Sequence, residues 1–272
     1  MTDRLLEVKE KRLFEELKKY GSMIVAFSGG TDSTYLLYAA KQVLGERVIA
    51  ATTVSDIHPQ RETAAATEFT HERGIKHIVI ETWQMESGEF IRNSQDRCYI
   101  CKKHLFAMIF AEAEKFRIHY IAHGANLDDD KEFRPGLRAA REMCVAAPLA
   151  DAGLTKIDIR LLSRKAGLPN WDKPASGCLA TRIPYDIEIT QQRLKLIEKA
   201  EQILLDGGFA ECRVRYHGVL AKIEVPEADL EQIVMPENRT KIIDGLRQAG
   251  FLYVALDLEG FQSGRLNRPL QA

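Results

Sequence analysis

Short apolar runs alternate with amphipathic stretches along the first two thirds of the chain. The runs are four or five residues long and rich in Ile, Val and Ala, which is typical of strands buried on both faces of a parallel sheet. They predict strands over 23–27, 48–52, 77–80 and 120–123. After an amphipathic opening helix, the stretches between them predict helices over 33–44, 60–73, 102–116, 137–143 and 155–166. This alternation predicts an α/β fold with a doubly wound parallel sheet.

The pattern changes at 167–174, a stretch of turn residues that contains two prolines. The remaining chain predicts helices over 190–205, 228–234 and 239–249, and strands over 212–216, 220–225 and 252–256. This mixture indicates a smaller C-terminal α+β domain. We therefore divide the chain into domains at 1–170 and 171–272.

Composition and charge exclude several classes of protein. The 272 residues are 45% hydrophobic and 28% charged, which is the balance of a globular domain and not of a disordered or fibrous chain. The sequence has no unbroken apolar run of about 18 residues, so we expect no membrane span and a cytosolic location. The net charge of −1 disfavours long RNA or DNA as a partner.

The segment Ser28-Gly-Gly-Thr-Asp-Ser33 lies between the first predicted strand and the following helix. Its two glycines permit a tight turn, and successive N–H groups at a helix N-terminus bind anionic oxygens. The Gly-Lys-Ser/Thr end of a Walker A loop is absent, so these residues do not suggest a kinase or GTPase. We take Ser28, Gly29, Gly30, Asp32 and Ser33 as candidate nucleotide-binding residues.

This segment resembles the pyrophosphate loop of the N-type ATP pyrophosphatases, also called the PP-loop or adenine nucleotide alpha hydrolase-like superfamily. Its members adenylate a substrate oxygen and release pyrophosphate, and they include NAD synthetase, GMP synthetase and tRNA-thiolating enzymes. The resemblance implies ATP as cosubstrate but does not choose the second substrate.

Further polar residues follow the predicted strands, at the edge of an open α/β sheet where ligands bind. Thr52 ends the second strand, and Gly124, Asn126 and Asp129 follow the fourth. Asp32 and Asp129 are candidates for binding Mg²⁺, which usually takes few carboxylates alongside substrate phosphates.

One cysteine lies in a Pro- and Gly-rich stretch between two cations, Lys173 and Arg182. Neighbouring positive charge favours the thiolate, which is the form that attacks carbon or binds metal. We therefore take Cys178 as a candidate catalytic residue, and Lys173 and Arg182 as candidate ATP-binding residues.

The sequence around Cys178 also resembles the LarE family, and the similarity extends over most of the chain. The matching stretches are 126–129, 134–136, 148–149, 153–156, 159–160, 167–169, 171–185 and 253–264. LarE proteins are ATP-dependent sulfur transferases that make the pyridinium bis-thiocarboxylic acid mononucleotide precursor of a nickel-pincer cofactor. The resemblance implies that a pyridinium mononucleotide carboxylate is adenylated and that sulfur delivered at Cys178 displaces AMP.

The family has two branches, and the pair Cys98 and Cys101 bears on the choice between them. In one branch the cysteine corresponding to Cys178 gives up its own sulfur and becomes dehydroalanine. In the other, three cysteines hold a 4Fe-4S cluster that carries an extra sulfide. A Cys-x-x-Cys pair with one distant thiol leaves one iron open, so we favour a cluster on Cys98, Cys101 and Cys178. A zinc site and a redox dithiol are the alternatives.

The remaining candidates lie in the C-terminal part. Arg213 and Arg215 alternate along a predicted strand and share one face, which suits a phosphate group. The resemblance implies that they bind the substrate phosphate and that Glu201 is an active-site carboxylate. The family often has Arg where Gln262 stands, and Arg265 is a possible substitute. We take the two other cysteines, at 144 and 212, as ordinary buried thiols.

Three other functions share parts of this pattern. A tRNA thiolase would need a basic or RNA-binding region, and none is visible. An amide-forming synthetase would leave Cys178 without a role, and a non-catalytic nucleotide-binding protein would release no pyrophosphate. The resemblance also implies a homo-oligomer, specifically a hexamer.

Overall fold

The computed structural model describes residues 2–129, 135–174, 177–262 and 264–270. The chain forms two compact units, described separately below. The first comprises Met1–Ser55, Gln60–Trp83 and Asp96–Lys173, and the second comprises Asp56–Pro59, Gln84–Gln95 and Pro174–Ala272. Two short segments of the N-terminal half thus belong to the second unit, whereas the domain division at residue 170 stays a prediction. Four residues of the LarE-like stretches lie outside the described residues: Arg134, Ala175, Ser176 and Ser263.

The first unit contains a parallel sheet and the helices that cover it. Its strands are β1 (Met23–Ala26), β2 (Val48–Val54), β3 (Lys76–Glu81) and β4 (Ile121–His123), in the order β3-β2-β1-β4. Its helices are α1 (Thr2–Tyr20), α2 (Thr31–Leu44), α3 (Gln60–Glu72), α5 (Arg97–Lys115), α6 (Pro135–Glu142), α7 (Pro148–Asp151) and α8 (Lys156–Lys165). Every strand pairing in this sheet is parallel, which confirms the predicted fold class.

The two faces of the sheet bury different residues of the same strands. Met23 and Val25 pack into a core with apolar residues of α1, α2, α7 and α8. Ile24, between them in sequence, packs into a second core with Leu105 and Phe106 of α5. Because side chains alternate along a strand, continuous apolar runs are needed to fill both cores, and this is why the runs are apolar throughout.

The strand order places a topological switch point between β1 and β4. The connections from β1 lead outward through β2 to β3, and the chain then returns to the other side of β1 as β4. In open α/β sheets, ligands bind beyond the carboxyl ends of the strands at such a point. The segments that leave β1 and β4 are therefore where a nucleotide is expected.

The second unit contains a three-stranded sheet with helices. Strand β5 (Arg213–His217) pairs antiparallel with β6 (Leu220–Glu224), and β6 pairs parallel with β7 (Tyr253–Leu256). The helices are α4 (Gly88–Ile91), α9 (Gln191–Asp206), α10 (Leu230–Val234) and α11 (Pro236–Ala249). A core that includes Leu204, Val214 and Leu246 joins this sheet to α9 and α11.

Most element boundaries differ from the predictions by one to three residues, but α5 differs by five. It begins at Arg97 and not at residue 102, so Cys98 and Cys101 lie within the helix and not before it. The short helices α4 and α7 were not predicted, because four residues show no hydrophobic period. Within the described ranges, no helix is both long and apolar enough to cross a membrane.

Candidate functional site

The loop between β1 and α2 ends in a glycine, so the N-cap residue supplies no side-chain cap to the helix that follows. Gly29 has φ +70, a backbone conformation that residues other than glycine rarely adopt. Gly30 is the N-cap of α2 and has no side chain to cap the helix, and its own N donates to Ser28 Oγ at 3.4 Å. The N-terminus of α2, with the positive end of the helix dipole, therefore suits an anion.

Hydroxyl groups stabilise the shape of this loop. The Oγ atoms of Ser28 and Ser33 lie 3.1 Å apart, and Ser33 Oγ accepts a hydrogen bond from Ser28 N at 3.3 Å. Ser33 Oγ also donates to Gly30 O at 3.0 Å. The two serines thus close the loop on itself, as expected for a site that must be formed before the ligand arrives.

Gly124 lets the end of β4 approach this loop closely. A Cβ on Gly124 would lie 2.8 Å from Ser33 N and 3.0 Å from Ser33 Cα, which are backbone atoms that cannot move aside. The structure thus brings Gly124 to the start of α2, at the switch point of the sheet. Glycine is required here for close backbone approach and not for a turn.

Asn126 connects the two candidate Mg²⁺ ligands. Its Nδ2 donates to Asp32 Oδ2 at 3.1 Å, and its backbone N donates to Asp129 Oδ2 at 3.0 Å. Two carboxylates beside an anion-binding loop fit Mg²⁺, which completes its coordination with water and substrate phosphates. Among the described residues, no group of three or more His, Cys, Asp or Glu side chains could hold a metal ion without such help.

Thr52 supports the loop by a hydrogen bond to the residue that precedes it, a role that the sequence did not reveal. Its buried hydroxyl donates to Phe27 O at 2.8 Å, immediately before the loop begins. His77 Nε2 lies 2.8 Å from the same hydroxyl, and Nδ1 lies 3.1 Å from Thr70 Oγ1. Burial lowers the pKa of His77.

Lys173 lies beside the loop in the first unit. Its Nζ is 2.5 Å from Glu62 Oε2 and 3.4 Å from Gly29 O. Asn170, which was not a candidate, donates from Nδ2 to Gly29 O at 3.0 Å and to Thr34 Oγ1 at 2.7 Å. Asn170 lies between two LarE-like stretches, so the family resemblance could have identified it as a candidate. Nothing in the sequence singles out Glu62.

Cys98 and Cys101 lie in the first turn and a half of α5 and are both half-buried. Residues three apart on a helix share a face, so the two thiols form a local pair. Tyr99 between them donates to Glu142 Oε2 of α6 at 2.5 Å, and the Arg138 guanidinium lies 4.0 Å from its ring centroid. These contacts attach the start of α5 to α6.

In the second unit, Cys178 is the N-cap of a 3₁₀ helix, Leu179–Arg182, and is half-buried. Arg182 turns back over this helix, and its Nη1 donates to Gly177 O at 2.6 Å and to Cys178 O at 3.1 Å. Arg182 is only 3% exposed. Arg182 therefore stabilises residues 177–182, called the cysteine turn below, by donating to two of its backbone carbonyls.

Glu201 of α9 holds Arg182 in place. Its Oε1 accepts from Arg182 Nε at 2.8 Å and its Oε2 from Arg182 Nη2 at 3.1 Å, a bidentate pair. Oε1 also accepts from Val214 N of β5 at 3.1 Å. Burial alone would lower the pKa of Arg182, but Glu201 more than offsets this effect, and the pKa lies above its ordinary value.

Arg213 and Arg215 are buried on β5, so neither lies on a solvated face. Arg215 Nε donates to Glu224 Oε2 at 2.9 Å, and its Nη1 donates to Thr181 O at 2.8 Å, next to Arg182. The Arg213 guanidinium lies 4.4 Å from the ring centroid of Phe261. Burial, together with Arg182 and Arg215, lowers the pKa of Arg213 to about 10.

These contacts join the candidates of the second unit into one frame, defined as Cys178, Arg182, Glu201, Arg213 and Arg215. Two of its arginines are matched by buried carboxylates, Glu201 and Glu224. All three guanidinium groups of the frame are buried, and two of them lie beside these carboxylates. The frame therefore suits an anionic group such as a phosphate.

Two further candidates lie in the turn after β7. Gln262 is exposed. Arg265 Nη1 lies 3.0 Å from Asp257 Oδ2 and donates to Gly260 O at 2.7 Å. Arg265 thus bonds within the turn in which it lies, and a substitute role for it in ligand binding stays a prediction.

The two remaining cysteines were expected to be ordinary buried thiols. Cys144 is exposed, contrary to that expectation, because it follows the end of α6 in a left-handed conformation with φ +55. Cys212 is half-buried, with its Sγ 3.8 Å from Glu201 O. The expectation is therefore wrong for Cys144 and only partly met by Cys212.

Comparisons with known proteins place the chain in a family. The family model for queuosine biosynthesis protein QueC matches residues 22–97, which include the loop after β1. The pyridinium-3,5-bisthiocarboxylic acid mononucleotide synthase of Lactiplantibacillus plantarum is 34% identical over 97% of this chain and 96% of that protein. A Synechocystis protein is 37% identical over 98% of this chain and 99% of its own length.

A more distant relative is a glutamine-hydrolysing GMP synthase. One of the chains of this enzyme from Thermoplasma acidophilum is 27% identical over 75% of the present chain and 69% of its own length. The near-complete match to the mononucleotide synthase is closer than this one in both identity and coverage. The chain therefore belongs to the LarE family of pyridinium-3,5-bisthiocarboxylic acid mononucleotide synthases, within the PP-loop superfamily.

Proposed function

We propose that the chain is an ATP-dependent sulfur transferase that acts on a pyridinium mononucleotide. The observation that carries this proposal is the full-length similarity to the synthase, in a chain that has both a nucleotide loop and a cysteine beside a positively charged frame. The reaction replaces a carboxylate oxygen with sulfur at the expense of ATP.

The first step activates the carboxylate. Its oxygen attacks the α-phosphorus of ATP, the bond to the bridging oxygen breaks, and pyrophosphate leaves. The N-terminal N–H groups of α2 and the Ser28–Ser33 loop bind the departing phosphates. Asp32 and Asp129 would hold Mg²⁺, which neutralises charge that develops on the phosphate oxygens.

The second step transfers sulfur. A sulfur nucleophile at Cys178 attacks the acyl carbon, a carbon–sulfur bond forms, and the carbon–oxygen bond to AMP breaks. Arg213 and Arg215 bind the substrate phosphate, and Arg182 with Glu201 holds the turn that carries Cys178. Glu201 thereby acts through Arg182 as a positioning residue.

We further propose that Cys98, Cys101 and Cys178 bind a 4Fe-4S cluster. The residues fit as far as the first unit shows, because Cys98 and Cys101 share one face of α5 and are half-buried. When bound, such a cluster would supply a sulfide on the iron that lacks a protein thiolate. If no cluster forms, the sulfur of Cys178 itself is transferred and residue 178 becomes dehydroalanine.

The function is tested with purified protein, Mg-ATP and the pyridinium biscarboxylate mononucleotide, with sulfide added or omitted. We expect AMP, pyrophosphate and a thiocarboxylate product in equal amounts. Pyrophosphate without thiocarboxylate in wild-type protein would argue for an amide- or ester-forming enzyme. Neither product would indicate a non-catalytic nucleotide-binding protein.

The sulfur source is tested on protein prepared without oxygen. About four irons and matching acid-labile sulfide per chain, lost in Cys98→Ala, Cys101→Ala and Cys178→Ala, would support the cluster. Cys144→Ala is the matched control and should retain the iron, because Cys144 is not among the proposed ligands. A protein without iron that loses the mass of one H₂S at Cys178 after reaction would instead be a single-use donor.

The proposal includes a homo-oligomer, a hexamer, and a small-molecule substrate without nucleic acid. Light scattering coupled to gel filtration measures the mass directly. A mass near one chain of 30.7 kDa would contradict the hexamer.

A further inference from the structure

Asn93 is a fully buried residue with an unusual backbone, in the short segment 84–95 that belongs to the second unit. Its φ is +58, a left-handed conformation that is uncommon for residues other than glycine, although Asn adopts it more readily than most. Neither the sequence nor the proposed reaction gives Asn93 a role. A strained backbone of this kind persists only where the surrounding contacts hold it.

The amide of Asn93 holds the chain that leaves the cysteine turn. Its Nδ2 donates to Pro184 O at 2.7 Å and to Ile187 O at 2.8 Å, with Ile183 O at 3.4 Å. Its backbone O accepts from Asp186 N at 3.1 Å. One side chain thus bonds three carbonyls within residues 183–187, which begin directly after Arg182.

The other end of the cysteine turn is held in the same way. Leu179 N donates to Ile57 O at 2.8 Å, and Ile57 lies in the other short segment assigned to the second unit. The 3₁₀ helix Leu179–Arg182 is therefore attached at both ends to segments from far earlier in the chain. Between these attachments, Arg182 bonds the Gly177 and Cys178 carbonyls.

We propose that Asn93 is a positioning residue for sulfur transfer, fixing the turn that presents Cys178 by holding residues 183–187. The proposal rests on the proposed function in one respect, that Cys178 delivers the sulfur. It assigns Asn93 no contact with substrate. The physical basis is that displacing a reacting group by about 1 Å can reduce a rate by about 100-fold.

Two substitutions separate the amide from the backbone conformation. Asn93→Gly keeps the left-handed φ at no steric cost but removes every side-chain donor. Asn93→Asp keeps shape and φ preference but directs an acceptor toward three carbonyl oxygens. Arg117→Gly is the matched control, since Arg117 is an exposed residue with φ +55 and has no assigned role.

The experiment measures the alkylation rate of Cys178 by iodoacetamide, read by peptide mass spectrometry, together with pyrophosphate release, thiocarboxylate formation and melting temperature. For both Asn93 variants we expect about 10- to 100-fold less thiocarboxylate, a first-turnover burst of pyrophosphate within about 2-fold of wild type, and a changed alkylation rate. Asn93→Asp should be affected at least as strongly as Asn93→Gly, and Arg117→Gly should match wild type.

Unchanged thiocarboxylate formation and alkylation in folded Asn93→Gly would overturn the proposal. So would a parallel fall of both activities that simply follows the melting temperature, because that pattern marks a purely structural residue. If wild-type protein forms no thiocarboxylate, the proposed function fails, while the alkylation rates still decide whether Asn93 positions Cys178. If Asn93→Asp does not fold, Asn93→Gly alone gives the decision.

Discussion

The nucleotide loop of the first unit and the cysteine turn of the second differ in how far apart in sequence their bonding partners lie. In the loop, Ser28 and Ser33 are five residues apart, and Ser33 and Gly30 are three apart. In the turn, Arg182 and Glu201 are 19 residues apart, and Asn93 and Pro184 are 91 apart. The loop is largely a local structure, whereas the turn exists only in the folded unit.

The two regions also differ in the groups that form them. The loop presents backbone N–H groups and hydroxyls, with glycine where space is tight. The frame around Cys178 consists of buried arginines and carboxylates. Backbone donors cost little to hold in place, while a buried charge destabilises the protein as soon as its partner is removed. Removing a polar partner should therefore destabilise the protein more in the frame than in the nucleotide loop.

The largest effect on stability is expected from Glu201→Gln. This change leaves the buried Arg182 guanidinium without its carboxylate, and removing one partner of a buried pair costs about 3–5 kcal/mol. Urea unfolding followed by circular dichroism measures the loss. The control is Glu46→Gln, whose partner Lys41 is 2.7 Å away but whose own side chain is 86% exposed, with an expected change below about 0.5 kcal/mol. Equal losses in the two variants would remove the contrast between the regions.

The next effect concerns acid stability and a half-buried histidine at the end of β4. Burial, with a smaller contribution from Lys102, lowers the pKa of His123 to about 4 from 6.5. The folded state thus favours the neutral ring, so this stabilisation is complete above pH 6.5 and is lost as the pH falls toward 4. We expect a loss of about 3 kcal/mol over that interval. In His123→Gln, the free energy of unfolding should depend less on pH there; an unchanged slope would contradict the assignment.

A smaller effect, confined to the nucleotide, is expected from Gly124→Ala. The added Cβ would meet the backbone of Ser33 at 2.8 Å and displace the start of α2. We expect the KM for ATP to rise about 100-fold, equivalent to about 2.7 kcal/mol, in a pyrophosphate-release assay. Gly88→Ala is the control, since a Cβ there meets nothing within 4 Å and φ is not positive. Similar KM values in both variants would show that the close approach is unimportant.

The smallest effect is expected from Thr52→Val, which removes the hydroxyl that bonds Phe27 O and His77. The net worth of such a hydrogen bond is about 1 kcal/mol, so the KM for ATP should rise about 5-fold. Thr52→Ser restores the hydroxyl and should recover most of the affinity. Failure of the serine variant to recover would mean that the methyl group of Thr52, and not its hydroxyl, supports the loop.

The parts of the molecule that depend on local order could be predicted from the sequence. Alternating strands and helices predicted the parallel sheet, and Ser28–Ser33 predicted the turn between β1 and α2, because both patterns need only neighbouring residues. The Asn93 and Ile57 contacts could not be predicted, since each joins segments about 90 or more positions apart. The true start of α5 was missed because Arg97-Cys98-Tyr-Ile-Cys101 has no clear helical period of apolar residues.

The buried charges explain the other differences. The sequence alone left open whether Arg213 and Arg215 lie on a solvated face, and only packing against Phe261 and Glu224 shows that they are buried. Glu201 and Arg182 are both ordinary surface residue types in a helix and a turn. Their bidentate pair could be found only once the two segments were folded together.

In the proposed reaction the first unit activates the substrate and sulfur is delivered at Cys178 of the second, and Cys178→Ala separates these two steps. With ATP and the pyridinium biscarboxylate mononucleotide, pyrophosphate and thiocarboxylate are measured in the same reaction. We expect the first-turnover burst of pyrophosphate to stay within about 2-fold of wild type while thiocarboxylate formation falls at least about 100-fold. Retained thiocarboxylate formation in Cys178→Ala would mean that sulfur is not delivered at Cys178.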